Sequence, residues 1–180
     1  MKILTMKFGG TSVADIDRIR AVRDIISDEI KDGWNVVAVV SAMSKETNKL
    51  IDLAKQVGVE NLVDPEYDSL ISTGEDVSSS LLAIALNSIK ISSRSWRGWQ
   101  LPIRTDSFHS NAKIEEIKTN QIINSFKEGV KVAVVSGFQG IEQAGRITTL
   151  GRGGSDTSAV AIAAAIDAER CDIYTDVSGI

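Results

Sequence analysis

The run Val36-Val37-Ala38-Val39-Val40 contains no polar residue and no alternation. A strand with one wet face alternates apolar and polar side chains, whereas a strand covered on both faces, as in a parallel sheet, reads as a continuous apolar run. Ile3 to Phe8 is a second short apolar run, ending in Lys7-Phe8-Gly9-Gly10-Thr11-Ser12, a strand entering a tight glycine loop. Between the two, Ile16, Ile19, Val22, Ile26 and Ile30 recur at three- and four-residue spacing among Asp, Arg and Lys, the pattern of an amphipathic helix. Ser12 with Asp15 resembles a capping box at its start, and Gly33 stands where it should end. Strand, glycine loop, helix, strand is a βαβ unit, and parallel pairing of its strands commits the chain to an α/β fold.

The remaining pattern extends that plan. Ser41 to Asn48 reads as a polar loop or helix start, Leu50, Leu53 and Ala54 as a short helix, and Val59 to Asp68 as a connection holding a proline. Leu70 to Ile89 reads as a long helix interrupted near Ser72-Thr73-Gly74-Glu75, with Leu81 to Leu86 apolar all round and therefore buried. Ile91 to Ser110 is irregular and aromatic, Ile114 to Phe126 returns to helical spacing, and Val130 to Val135 is another buried-type strand. Gly137-Phe138-Gln139-Gly140 leads into a hairpin through Gly145 to Leu150. An Ala-rich helix over Ala159 to Ala168 and a last strand, Asp172 to Asp176, follow. Val177-Ser178-Gly179-Ile180 then stops in a loop that should face a ligand, so the chain reads as cut short at its C-terminus.

Bulk properties remove several classes of function. The 180 residues fit about one domain. With a formal net charge of −4 and no block of Lys or Arg, the chain lacks the basic stripe of a nucleic-acid binder. No stretch approaches the roughly eighteen apolar residues of a membrane span, and the N-terminal apolar run is too short for a signal peptide. The single cysteine, Cys171, excludes a disulfide framework and reads as a small buried strand residue. A cytoplasmic chain with a small-molecule partner is the simplest expectation.

Chemistry concentrates in loops that follow strands. Thr148-Thr149-Leu150-Gly151-Arg152-Gly153-Gly154-Ser155-Asp156-Thr157 precedes the Ala-rich helix. Its glycines allow close backbone approach, Ser155, Asp156 or Thr157 could cap the helix, and Arg152 offers a planar fork of donors to a carboxylate or phosphate. In a parallel sheet this loop, the Lys7 to Ser12 loop, the Ser41 to Thr47 loop and the Thr175 to Gly179 loop all emerge at one edge and can converge. Their ammonium, guanidinium, hydroxyls, carboxylates and backbone donors form an anion-handling set of the kind phosphoryl transfer needs. The loop is not a P-loop, because no G-x-x-x-x-G-K-[ST] occurs. Ser41 and Thr47 fit helix caps equally well, Glu75 alone would be an ordinary solvated charge, and His109 is a lone histidine in a polar loop.

Five segments then act together. Lys7-Phe8-Gly9-Gly10-Thr11-Ser12-Val13, Val40-Ser41-Ala42-Met43-Ser44 with Thr47-Asn48, Ser72-Thr73-Gly74-Glu75, Thr149-Leu150-Gly151-Arg152-Gly153-Gly154-Ser155-Asp156 and Tyr174-Thr175-Asp176-Val177 resemble, in order and at compatible spacing, the signature segments of the aspartokinases. Trp99-Gln100 and Ile103-Arg104-Thr105-Asp106-Ser107 resemble that family as well, and the likeness runs from Lys2 to Ile180.

The resemblance implies an amino-acid-kinase fold: a three-layer αβα sandwich around a mainly parallel central sheet of about eight strands. It implies ATP-dependent phosphorylation of the L-aspartate side-chain carboxylate to 4-phospho-L-aspartate, the first step toward lysine, threonine, methionine and diaminopimelate, with Mg²⁺ as cofactor. Carried over by position, Lys7 would be catalytic and bind ATP together with Gly9, Gly10, Ser12, Thr175 and Asp176. Ser41, Thr47, Glu75, Arg152 and Ser155 would bind aspartate, Asp156 would be the second catalytic residue, orienting the lysine, and metal ligands stay unassigned. Residues 1–180 would form a catalytic domain lacking its C-terminal part and any regulatory ACT domain; L-aspartate and ATP are the expected partners, with no nucleic acid or membrane, and homo-oligomerisation is left open. A glutamate or acetylglutamate kinase of the same fold, a non-catalytic core that only binds ligand, and a purely structural fragment are the competing readings.

Overall fold

The computed structural model describes residues 1–58 and 63–175. The βαβ unit forms as β1 (Ile3–Phe8), α1 (Ile16–Lys31) and β2 (Asn35–Val40), the strands pairing in parallel with Phe8 opposite Val40. Gly33 ends the helix at φ +88°, a backbone region that disfavours a Cβ. The capping box does not form. Asp15 is itself the N-cap, its carboxylate accepting from the Arg18 N–H at 2.8 Å, while the Ser12 N–H is used in the preceding turn on the Gly9 carbonyl.

Next come α2 (Glu46–Gln56), α3 (Pro65–Ile71) and α4 (Thr73–Ser88). Residues 59–62, the start of the expected connection, lie outside the described residues; Pro65 through Asp68 are already helical. The interruption expected in the long helix is real: Ser72 ends α3 and opens α4. The apolar stretch of α4 is not buried all round. Leu82, Ala83 and Leu86 are buried, whereas Ile84 is 65% exposed, because only one side of the helix meets the sheet. Serines hold its first turns: Ser78 Oγ donates to the Ser41 carbonyl at 2.6 Å, and Ser79 and Ser136 share a hydrogen bond of 2.9 Å.

The segment expected to be irregular contains β3 (Ser93–Trp96) and β4 (Ile103–Thr105), and the helical spacing of Ile114 to Phe126 divides into β5 (Ile114–Ile117) and α5 (Asn120–Lys127). A register shift between Arg104 and Thr105 explains the misleading spacing, since Ile103 pairs with Ile117 and Thr105 with Ile114. The irregularity lets two residues three apart in a strand pack on the same core cluster. Then follow β6 (Val132–Ser136), the antiparallel hairpin β7 (Gln139–Ile141) and β8 (Ile147–Thr149), α6 (Gly154–Ala165) and β9 (Arg170–Tyr174). Gly153, in the left-handed region at φ +77°, is the N-cap of α6, so none of the three expected side chains caps it.

The strands form two sheets. The larger is wholly parallel in the order β3-β6-β2-β1-β9, and the smaller is mixed in the order β5-β4-β7-β8. The strand set implied by the resemblance is thus divided between two sheets. Alternate residues of the parallel strands enter opposite cores: Leu4, Met6, Val36, Ala38 and Val134 meet Ile19, Ile26, Leu82 and Leu86 of α1 and α4. Val37, Val39, Ala133 and Val135 meet Ile122 and Phe126 of α5 and Ala159 and Ile162 of α6. This is the expected αβα sandwich, continuous apolar runs included. Cys171 departs from expectation: β9 is an edge strand, and its thiol side is exposed. Among the described residues no helix is long and apolar enough to cross a membrane.

The hairpin that feeds the glycine-rich loop is held tightly. A Cβ on Gly140 would lie 2.5 Å from Thr105 Cγ2 and 2.8 Å from the Ile103 carbonyl oxygen, and the backbone atom cannot swing away. Gly140→Ala should therefore lower stability by about 1–3 kcal/mol, read as a drop in the urea midpoint; an unchanged midpoint would show that β4 and β7 can separate freely.

Candidate active site

A cavity of about 530 Å³ opens at the carboxyl edge of the parallel sheet, where the loops after parallel strands must emerge. Lys7, Gly9 and Gly10 reach it from the end of β1, Ser41 and Thr47 from the β2–α2 connection, and Glu75 from the first turn of α4. Arg152, Ser155 and Asp156 reach it from the loop and first turn of α6, and Thr175 from the end of β9. Ser12 does not line it, being turned into the Gly9 turn, and Asp176 lies outside the described residues. Thr47 and Ser41 are not caps: Lys45 occupies the N-cap of α2.

The geometry separates two halves. In the first, the Lys7 ammonium lies 2.6 Å from Asp156 Oδ1, joining β1 to α6. Lys7 is 11% exposed and Asp156 half exposed, so the lysine's charge is held at the cavity wall rather than in bulk water. Gly9 makes room for it, since a Cβ there would stand 3.3 Å from Lys7 Nζ, and a Cβ on Gly10 would stand 3.1 Å from the Ala42 carbonyl oxygen. Gly137 does the same for α6: a Cβ would meet Ser155 Oγ at 2.9 Å, so only glycine lets the helix N-terminus sit this close to the end of β6. The stacked rings of Phe8 and Tyr174, 4.7 Å apart, support the wall beside it.

In the second half Glu75 is only 4% exposed, unlike the solvated charge that its sequence context suggests. Its Oε1 accepts from the Ala42 N–H at 3.1 Å, while Oε2 is buried without a hydrogen-bond partner among the described residues. Burial pushes the carboxyl up to about 8; the Ala42 N–H and its own N–H pull the other way, and neighbouring Asp76 adds to the rise. A buried carboxyl with one unsatisfied oxygen is costly unless a cation completes it. Arg152, which lines the same cavity, is exposed, and among the described residues neither it nor Lys45 has an ion-pair partner. The cavity thus holds an unmatched carboxyl and unmatched cations.

Two lining residues were not singled out by sequence. Lys45 (φ +68°) and Phe138 (φ +69°) both adopt the left-handed region without being glycine. Such strain collects at functional sites, and no residue pattern announces it. Among the described residues no group of three or more His, Cys, Asp and Glu could hold a metal ion.

The amino acid kinase family pattern matches residues 2–180. This chain belongs to the amino acid kinase family. Within it, the chain is 52% identical over 180 residues to an aspartokinase of Bacillus sp. (strain MGA3) and 50% identical to that of Geobacillus stearothermophilus. It is covered completely in both comparisons but spans only 43% and 44% of those proteins, less than half the length of the curated relatives it matches. Among solved structures, the aspartate kinase from Synechocystis superposes with a TM-score of 0.82 at 46% identity, covering 98% of this chain and 29% of that one. E. coli aspartokinase III in complex with aspartate and ADP, in its R-state, superposes with a TM-score of 0.85 at 28% identity, covering 99% of this chain and 50% of that one.

The buried carboxyl gives a stability test. Relative to a neutral isostere, Glu75 costs nothing below its unfolded value of 4.5, and the cost grows as pH rises toward about 8, because the folded state holds its proton longer. Glu75→Gln should therefore raise the Tm of the ligand-free protein at pH 9, with the gain fading toward pH 5. A gain independent of pH would place the carboxyl in water.

Proposed function

We propose that this chain carries an aspartate kinase site that transfers the γ-phosphoryl group of ATP to the side-chain carboxylate of L-aspartate, giving 4-phospho-L-aspartate. The observation that carries the reading is the buried Glu75, sharing one cavity with Arg152 and with Lys7, where among the described residues neither Glu75 Oε2 nor Arg152 has a partner of opposite charge. A free amino acid with a second carboxylate supplies complementary groups: an ammonium for Glu75, an α-carboxylate for the Arg152 fork, and a remaining carboxylate directed toward Lys7. An N-acylated substrate has no charge to offer Glu75. The names of the relatives, and the aspartate and ADP bound to the E. coli enzyme, support the same reading.

In this reading Ser41, Thr47 and Ser155 complete the acceptor pocket, while Gly9, Gly10 and Thr175 line the phosphate side with Lys7. Attack is direct. A carboxylate oxygen of aspartate forms a bond to the γ-phosphorus as the bond to the β,γ-bridging oxygen breaks, and ADP leaves with that electron pair. The acceptor is already ionised at neutral pH, so no general base is required. The barrier is repulsion between two anions, and Lys7, held in place by Asp156, offsets it where charge builds up. Magnesium fits as a partner of phosphate oxygens rather than of a protein cage, with half-exposed Asp156 as the residue to hold it. When bound, it supplies further charge neutralisation.

A coupled ATP-turnover assay with L-aspartate, L-glutamate and N-acetyl-L-glutamate tests the assignment. Aspartate-dependent turnover is expected, with Lys7→Ala lowering kcat by roughly two or more powers of ten and Arg152→Ala acting chiefly on the KM for aspartate. Turnover with another acid alone, or a near-normal kcat in Lys7→Ala, would overturn it. An Arg152→Ala effect confined to ATP would move that residue to the nucleotide half.

A further inference from the structure

Asp68, in the middle of α3, is fully buried, yet it does not line the cavity. Burying a carboxylate is costly unless donors surround it, and here they come from two other segments. Thr149, the last residue of β8, gives its N–H at 3.0 Å and its hydroxyl at 2.7 Å. The loop between β4 and β5 gives the Ser110 N–H at 3.1 and 3.0 Å to the two oxygens, the Ser110 hydroxyl at 3.3 Å, and His109 Nδ1 at 2.9 Å. One carboxylate therefore ties three segments that are distant in sequence.

Each segment leads to the acceptor half of the cavity. β8 runs from Thr149 through Leu150 and Gly151 into Arg152. The loop presses on Gly151, where a Cβ would come 2.8 Å from Asn111 Oδ1 and 3.2 Å from the Ser110 carbonyl oxygen, and the Ala112 N–H donates to the Thr149 carbonyl at 2.9 Å. α3 passes through Ser72 into α4, whose first turn carries Glu75. Glu75 and Arg152, which line the same cavity, are thus both connected to Asp68, one through α3 and the other through β8. Lys7, Gly9 and Gly10 rest chiefly on the pairing of β1 with β2 and β9, with the Lys7–Asp156 ion pair as their link to α6.

We propose that Asp68 is a positioning residue for the acceptor half, fixing the Arg152 loop against the Glu75 helix, while the phosphate half is anchored mainly on β1. This rests on the acceptor-site reading above. Charge-assisted hydrogen bonds are the strong ones, and a carboxylate is acceptor-only, so it accepts from all these donors without conflict. Asparagine keeps the shape but turns an NH₂ toward one set of them.

The test compares wild type with Asp68→Asn and with the milder Thr149→Val, which removes only the hydroxyl bond. The KM for aspartate should rise about tenfold in Asp68→Asn and about threefold in Thr149→Val, on the scale of lost hydrogen bonds to a charged group, with the KM for ATP within about twofold of wild type. Amide hydrogen exchange over residues 150–156 should quicken in both variants, with exchange over residues 7–12 unchanged. Equal rises in both KM values with faster exchange everywhere would make Asp68 merely structural and overturn the proposal, as would unchanged exchange over residues 150–156. Should Asp68→Asn fail to fold, Thr149→Val carries the same comparison. A wild type indifferent to aspartate would remove the acceptor-site reading, and the exchange comparison would still decide the positioning role.

Discussion

Parallel pairing of β1 with β2 on one side and β9 on the other is the constraint from which the rest of the molecule follows. Strands that run the same way release their chains at the same edge. Lys7 therefore ends up level with Val39 and Ile173, and the loops after these strands open onto a common space. With both faces of the sheet buried by helices, that edge is where polar side chains can gather without disrupting a core. The Lys7–Asp156 ion pair then fastens the N-terminus of α6 over the end of β1.

Behind the cavity, three carboxylates of α3 and α4 differ in how many donors reach them. Asp68 is saturated by Thr149, Ser110 and His109. Asp76 takes Ser136, Gln139 and Arg97, binding α4 to β6 and β7. Glu75, between them in sequence, keeps one oxygen without a partner. Two of these carboxylates thus hold the frame, and the third stays buried at the cavity wall without a full set of donors.

The sequence resolved the strands whose two faces are covered, because an unbroken run such as Val36 to Val40 has few other uses. It misjudged β5 because apolar residues three apart fit a helix as well as a strand with a register shift, and pairing to Arg104 and Thr105 lies outside the local pattern. The end of α1 was legible at Gly33, but the cap at its start was not: Ser12 and Asp15 both suit the role, and only the Gly9 turn decides between them. His109 looked inert in its loop and proves to be part of the Asp68 cluster, a partnership 41 residues away along the chain.

By itself the sequence determined the α/β class, the glycine positions and the chemical inventory, since these depend on local periodicity and on residue type. Only the tertiary structure decided which of those groups are buried, which are paired and which are left over. Glu75 is the clearest case: its carboxyl is ordinary in sequence, and it is pushed up to about 8 chiefly because the packed fold excludes water from it. Desolvation depends on everything packed around a group, and no short stretch of chain specifies that.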